Sequence, residues 1–107
     1  VIHLVEFVDA RGVALYSAWR ATLDVSVSAR ILRSTLRLGE GNFSSTKSVG
    51  GGVFELRLDF GPGYRVYFGR DGERVVLLLG GGTKQRQSDD IADARKRWSE
   101  YKQAKRN

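Results

Sequence analysis

The chain has 107 residues, with 18 Lys or Arg, 12 Asp or Glu, one His and no Cys, and a formal net charge of +6. That length argues for one domain over residues 1–107. The missing Cys and lone His exclude disulfides, Cys-based zinc sites, thiol nucleophiles and a His-rich metal cluster within one subunit.

Residues 2–8 are rich in β-branched and aromatic types and read as a strand. His3, inside it, reads as a strand-edge residue rather than a general base, because no partner for it is visible. Asp9 and Ala10 precede a first helix within 13–23, with Tyr16, Trp19 and Leu23 on its apolar side. Asp24 opens a second helix. Val25, Ala29, Leu32 and Leu36 form its expected buried stripe, while Arg30, Arg33 and Arg37 mark another face. Gly39 and Gly41 end it. Residues 39–52 read as a polar loop with room for a short edge strand.

Residues 53–60 alternate. Phe54, Leu56, Leu58 and Phe60 face one way, and Val53, Glu55, Arg57 and Asp59 face the other, expected to be wet. Gly61, Pro62 and Gly63 make a turn. Residues 64–70 form the next strand, with Arg65 and Tyr67 opposite Tyr64, Val66 and Phe68. Asp71-Gly72 signals a hairpin. The nearly all-apolar run 74–79 suits a central strand, beside which the first strand is expected to pair. Gly80, Gly81 and Gly82 read as a strand breaker. After a polar connector, Ser88 is the expected cap of a last helix, with Asp89 and Asp90 in its first turn and Ile91, Ala94, Trp98 and Tyr101 on its apolar side. The expected fold is α+β, in the order β-α-α-β-β-β-α, with an antiparallel sheet and the helices on one face.

The longest apolar run, Val75–Leu79, is too short to span a membrane. No charged start followed by an apolar run marks a signal peptide, so a cytoplasmic protein is expected. The basic excess is spread along the chain, twelve Lys or Arg against eight acids in residues 55–107. A basic folded surface takes nucleic acid as a frequent partner; plain solubility is the alternative.

Lys47, Arg57, Arg65, Lys84 and Arg86 fall where a meander could gather them on one concave face. Such a cluster can bind phosphate and stabilise the charge that develops in phosphoryl transfer. Tyr67 shares the face of Arg65 and could stack on a base. The alternative is an ordinary basic surface, with Arg57 paired to Glu55 or Asp59. The glycine run before Lys84 lacks the spacing of a nucleotide phosphate loop. Arg30, Arg33 and Arg37 are either a solvated helix face or a dock for an acidic partner, and Trp98 reads as a core or interface anchor.

The run from Lys47 to Phe68 and that from Val75 to Gln85 resemble the RelE/HigB-type toxins of bacterial toxin–antitoxin modules, nearest the branch called addiction-module killer proteins. The most specific parts are Glu55-Leu56-Arg57, Gly63 to Tyr67, and Lys84-Gln85. The resemblance implies a RelE-like fold and a metal-independent, ribosome-dependent mRNA endonuclease, in which the substrate's 2′-hydroxyl attacks the adjacent phosphate. It implies no cofactor. Arg65 matches the arginine that contacts the scissile phosphate and Lys84 the basic residue after the final strand. Arg57 and Lys47 match further cations of the catalytic face, and Gln85, Arg86 and Tyr67 would bind RNA. No catalytic tyrosine is evident in the last helix, where Ile91 stands near the expected place, and the general base is open between Lys47 and Lys84.

The resemblance also implies a cognate antitoxin, often a HigA-like helix-turn-helix protein, in a hetero-oligomer. Its acidic residues would meet Arg30, Arg33, Arg37 or the last helix at Trp98. Two alternatives share the fold: a ParE-like toxin that binds DNA gyrase and cuts nothing, and an antitoxin-binding module without activity.

Overall fold

The computed structural model describes residues 1–106. Its elements are β1 (His3–Glu6), α1 (Leu15–Arg20), α2 (Val25–Gly39), β2 (Thr46–Gly50), β3 (Val53–Leu58), β4 (Tyr64–Asp71), β5 (Val75–Thr83), a 3-10 turn (Lys84–Arg86) and α3 (Gln87–Arg106). The α+β class holds, and the edge strand allowed for in residues 39–52 is β2. The five strands lie in the order β1-β5-β4-β3-β2. From β2 to β5 neighbours are antiparallel. β1 does pair with β5, but in parallel, His3 opposite Val75, so the sheet is mixed rather than antiparallel throughout. A parallel pair needs a long crossover, and here the rest of the sheet is built before β1 gains its partner.

The helices occupy both faces of the sheet, not one. Tyr16 of α1 and Ile31 and Leu38 of α2 pack with Leu56, Leu58, Val66, Phe68, Val76 and Leu78. On the opposite face Ala94 and Trp98 of α3 pack with Val53, Tyr67, Leu77 and Leu79. The face expected to be wet is therefore covered. The last helix approaches closely there because Gly69, Gly80 and Gly82 leave gaps between those side chains for Trp98, Arg97 and Asp90 of α3. The Trp98 indole lies on Gly69, where an added Cβ would fall 2.4 Å from the ring. From the other side Trp19 lies on Gly81, 2.3 Å from such an atom.

Gly80 to Gly82 do not break the strand; they are its last third. The β4–β5 register slips between Tyr67 and Phe68, which pair with Gly80 and Leu78. The extra residue lets Leu79 and Gly80 both meet α3, the local effect of a bulge. Gly80 adopts φ of 142°, a conformation glycine takes at least cost.

In α2 the Asp24 side chain accepts from the Ser26 backbone N–H at 3.1 Å, as a cap should. The buried stripe differs from the expected one: it is Ile31, Thr35 and Leu38, whereas Val25 is 84% exposed and Leu36 50%. Thr35 is admitted to the core because its hydroxyl is satisfied. It donates to the Ile31 carbonyl at 2.9 Å and accepts from the Tyr16 hydroxyl at 2.8 Å. At the other terminus α3 starts directly from the 3-10 turn, ahead of the expected Ser88 cap. Ala94 and Trp98 of its expected apolar side are buried, and Ile91 and Tyr101 are half-buried. No helix among the described residues is long and apolar enough to cross a membrane.

Candidate functional site

Strand register assembles the site. Arg57 of β3 stands opposite Arg65 of β4, which stands opposite Gly82 of β5. One row along, Lys47, Glu55, Tyr67 and Gly80 face one another in turn. Direct partners share a face, so both rows lie on the α3 side. Where β5 leaves the sheet, the Lys84 backbone N–H donates to the Gly63 carbonyl at 2.8 Å. Arg65 Nη1 also lies against Gly63, 2.8 Å from where a Cβ would sit. Gly63 thus lets Arg65 and Lys84 approach each other at one end of the sheet.

Arg65 does not stand open on this face; it is 3% exposed. Its Nε lies 3.9 Å from Glu55 Oε1, and Glu55 is wholly buried. Glu55 Oε2 accepts from Gln87 Nε2 at 2.6 Å. Above Gly82 sits Asp90, whose Oδ2 would be 1.9 Å from an added Cβ. Burial raises the Asp90 pKa, with the neighbouring acids Asp93 and Asp89 adding to the rise against Arg86 and Arg97. Burial likewise pushes the Tyr67 phenol up, helped by Glu55 and Asp90. Glu55 Oε1, Arg65 Nε, the Tyr67 hydroxyl and Asp90 Oδ2 are all buried without a hydrogen-bond partner. Burying polar atoms without close partners disfavours the fold, and the Arg65–Glu55 attraction at 3.9 Å offsets part of that, so this end of the sheet is held at some expense of stability.

Lys84, Gln85 and Arg86 are exposed beside this cluster, with Arg86 4.0 Å from Asp89. Arg57 and Lys47 are exposed at the margin of the same face. One sequence expectation fails on geometry, and for Trp98 the core alternative is the one seen. Tyr67 is 1% exposed beneath α3, so its ring has no open face to offer a base. Trp98 is buried against Gly69 and stacked on Tyr101 at 5.6 Å, so it anchors the core rather than a partner. Sequence reasoning passed over Glu55, Gln87 and Asp90 as members of the cluster. The available signal was Glu55 sharing the alternation phase of Arg57, and a carboxylate soon after Lys84.

Arg30, Arg33 and Arg37 are exposed on α2, and together with Arg57 they line a groove of about 390 Å³ between α2 and β3. The Arg30 guanidinium lies 3.8 Å over the Phe60 ring. Among the described residues, no three His, Asp or Glu side chains gather as metal ligands.

The family described as phage-derived protein Gp49-like matches residues 18–99. A Haemophilus influenzae protein described as uncharacterized is 42% identical over 81 residues, covering 75% of this chain and 82% of its own length. No solved structure matches. The chain belongs to the Gp49-like family, which is associated with toxin–antitoxin modules.

Proposed function

From that membership, we propose that residues 1–107 form the toxin of a type II toxin–antitoxin module, a metal-independent endoribonuclease that cuts mRNA on the ribosome and so acts in the cytoplasm. The observation that carries this reading is the Arg65 guanidinium, fixed against Glu55 at the end of the sheet it shares with Arg57 and Lys84. The 2′-hydroxyl oxygen attacks the adjacent phosphorus as the bond to the 5′-oxygen breaks. The 2′ proton leaves to a base, and the 5′-oxygen takes up a proton. The products are a 2′,3′-cyclic phosphate and a 5′-hydroxyl. Negative charge grows on the phosphoryl oxygens; the exposed Lys84 and Arg57 meet it, and the buried Arg65 beneath them adds its charge from within the sheet. Glu55 and Gln87 hold Arg65 in orientation, so little reorganisation is needed at the moment of reaction. Lys47 and Lys84 are the candidate bases, and Gln85 and Arg86 extend the RNA contact. A cognate antitoxin, HigA-like in the finer reading, holds the toxin in check.

The test is Arg65→Lys, which keeps a positive charge beside Glu55 but loses the planar fork. Cleavage of ribosome-bound message in the presence of EDTA should fall by about 10²–10³ in rate. Undiminished cleavage by the variant overturns the role of Arg65. Intact message in the wild type together with inhibited DNA supercoiling overturns the nucleolytic reading in favour of gyrase.

A further inference from the structure

We propose that the groove between α2 and β3 is a second RNA-backbone site, so that Arg30, Arg33 and Arg37 hold substrate rather than antitoxin. This rests on the nucleolytic reading above. Arg30, Arg33 and Arg37 recur at helical spacing on one side of α2 and occupy about 10 Å of its length. Three guanidinium groups thus face one groove of about 390 Å³, and Arg57, whose side chain turns to the α3 face, is the fourth arginine on its border, against the single carboxylate of Asp59. Among the described residues no ion pair within 4.0 Å neutralises any of the four. Ser45 adds a hydroxyl to the same wall, where the Ser44 hydroxyl already donates to Asn42 Oδ1 at 2.8 Å.

The chemistry of the lining favours a phosphodiester chain over an acidic peptide. Protein partners draw most of their energy from apolar or aromatic anchors seated in pockets. Leu56 and Leu58, which also line the groove, are buried in the core and offer no such seat. Interfaces with nucleic acid are polar and strongly positive. The Arg30 guanidinium, stacked on Phe60, presents its outer plane to an unpaired base. Arg57 links the two faces: it borders the groove at the end of β3, while its side chain shares the α3 face with Arg65. One RNA strand can therefore run from the end of the sheet on to α2.

The experiment measures binding of a short single-stranded RNA whose 2′-hydroxyls are methylated, so that affinity is read without cleavage. The probe is titrated against the full chain by fluorescence anisotropy across a salt series. The Arg30→Gln/Arg33→Gln/Arg37→Gln variant should bind about tenfold or more weakly, and its salt slope should flatten by about two, the loss of three single-strand phosphate contacts. Arg33→Glu, a single change at an exposed position, should weaken binding in the same direction and serves if the triple variant misfolds. RNA affinity unchanged in a folded variant overturns the proposal. So does loss of antitoxin co-purification with RNA affinity retained, which assigns the groove to an acidic protein. A wild type that binds RNA through the groove yet leaves ribosome-bound message intact sinks the nucleolytic reading while the groove assignment stands.

Discussion

The two faces of the sheet are built on different terms. Beneath α1 and α2 the contacts are aliphatic and aromatic; among the described residues on that side the wholly buried Thr35 is satisfied, and only Arg20 Nε is a buried polar atom without a partner. Beneath α3 an apolar half around Trp98 adjoins a polar half around Arg65 and Glu55, where four buried polar atoms lack partners. The first face shows what the chain does when only packing matters. The second keeps charges in place at a cost, the pattern of a preorganised site. Catalytic readings therefore belong to the α3 side, and stability is drawn chiefly from the other.

The largest expected effect comes from breaking the buried pair. Glu55→Ala leaves Arg65 as an uncompensated buried charge and should destabilise the fold by about 3–5 kcal/mol. Replacing both partners with apolar residues, as in Glu55→Leu/Arg65→Met, should recover most of that stability and still abolish cleavage. Denaturant melts of the two variants, with an activity assay, decide this. If the double variant is as unstable as the single one, the polar half is a structural clamp and the contrast between the faces collapses.

A smaller effect is expected from closing the gap beneath Trp98. Gly69→Ala puts a methyl group into the indole and should cost about 1–3 kcal/mol as the helix shifts. The same melts measure it; an unchanged midpoint would mean that α3 does not rest on Gly69.

The smallest effect concerns Asp90. Its folded-state pKa is raised by burial, so the protonated form suits the fold. The stability this contributes is complete below the ordinary carboxylate range and is lost as pH rises through the raised value. Asp90→Asn should therefore raise the thermal midpoint at pH 7 and change it little near pH 3. A variant that melts lower at pH 7 than the wild type would reverse the sign.

Much of the sheet was legible in the sequence. The alternation from Val53 to Leu58, the Asp71-Gly72 turn and the apolar run to Leu79 specify the meander and its central strand. The distribution of helices was not legible, because the covered face carries Glu55, Arg65 and glycines, which read as solvent-facing. Glycine misleads at Gly81, where the missing side chain is a seat for Trp19 and not a break in structure; Gly69, placed inside a strand by the sequence pattern, seats Trp98 in the same way. On α2 the apolar periodicity points to one stripe, Val25, Ala29, Leu32 and Leu36, and Thr35 hides the correct one, since its hydroxyl counts as polar until Tyr16 is brought to it. For the site, residue types indicated Arg57, Arg65 and Lys84. The Glu55 contact that fixes Arg65 was not evident, because alternation places residues on a face without saying which of them touch.

The parallel pairing of His3 with Val75 also bears on the order of assembly. Synthesis runs from the N-terminus, so β1 is made well before its partner strand, with helices α1 and α2 and strands β2 to β4 between them. α3, which covers the polar half, comes later still. Closing so long a loop carries an entropic cost that local helix formation does not. A nascent chain that stops short of Val75 has no strand on which to seat β1, and without α3 it lacks Gln87 to orient Glu55. The Arg65–Glu55 arrangement is thus completed only after β5 and α3 are in place.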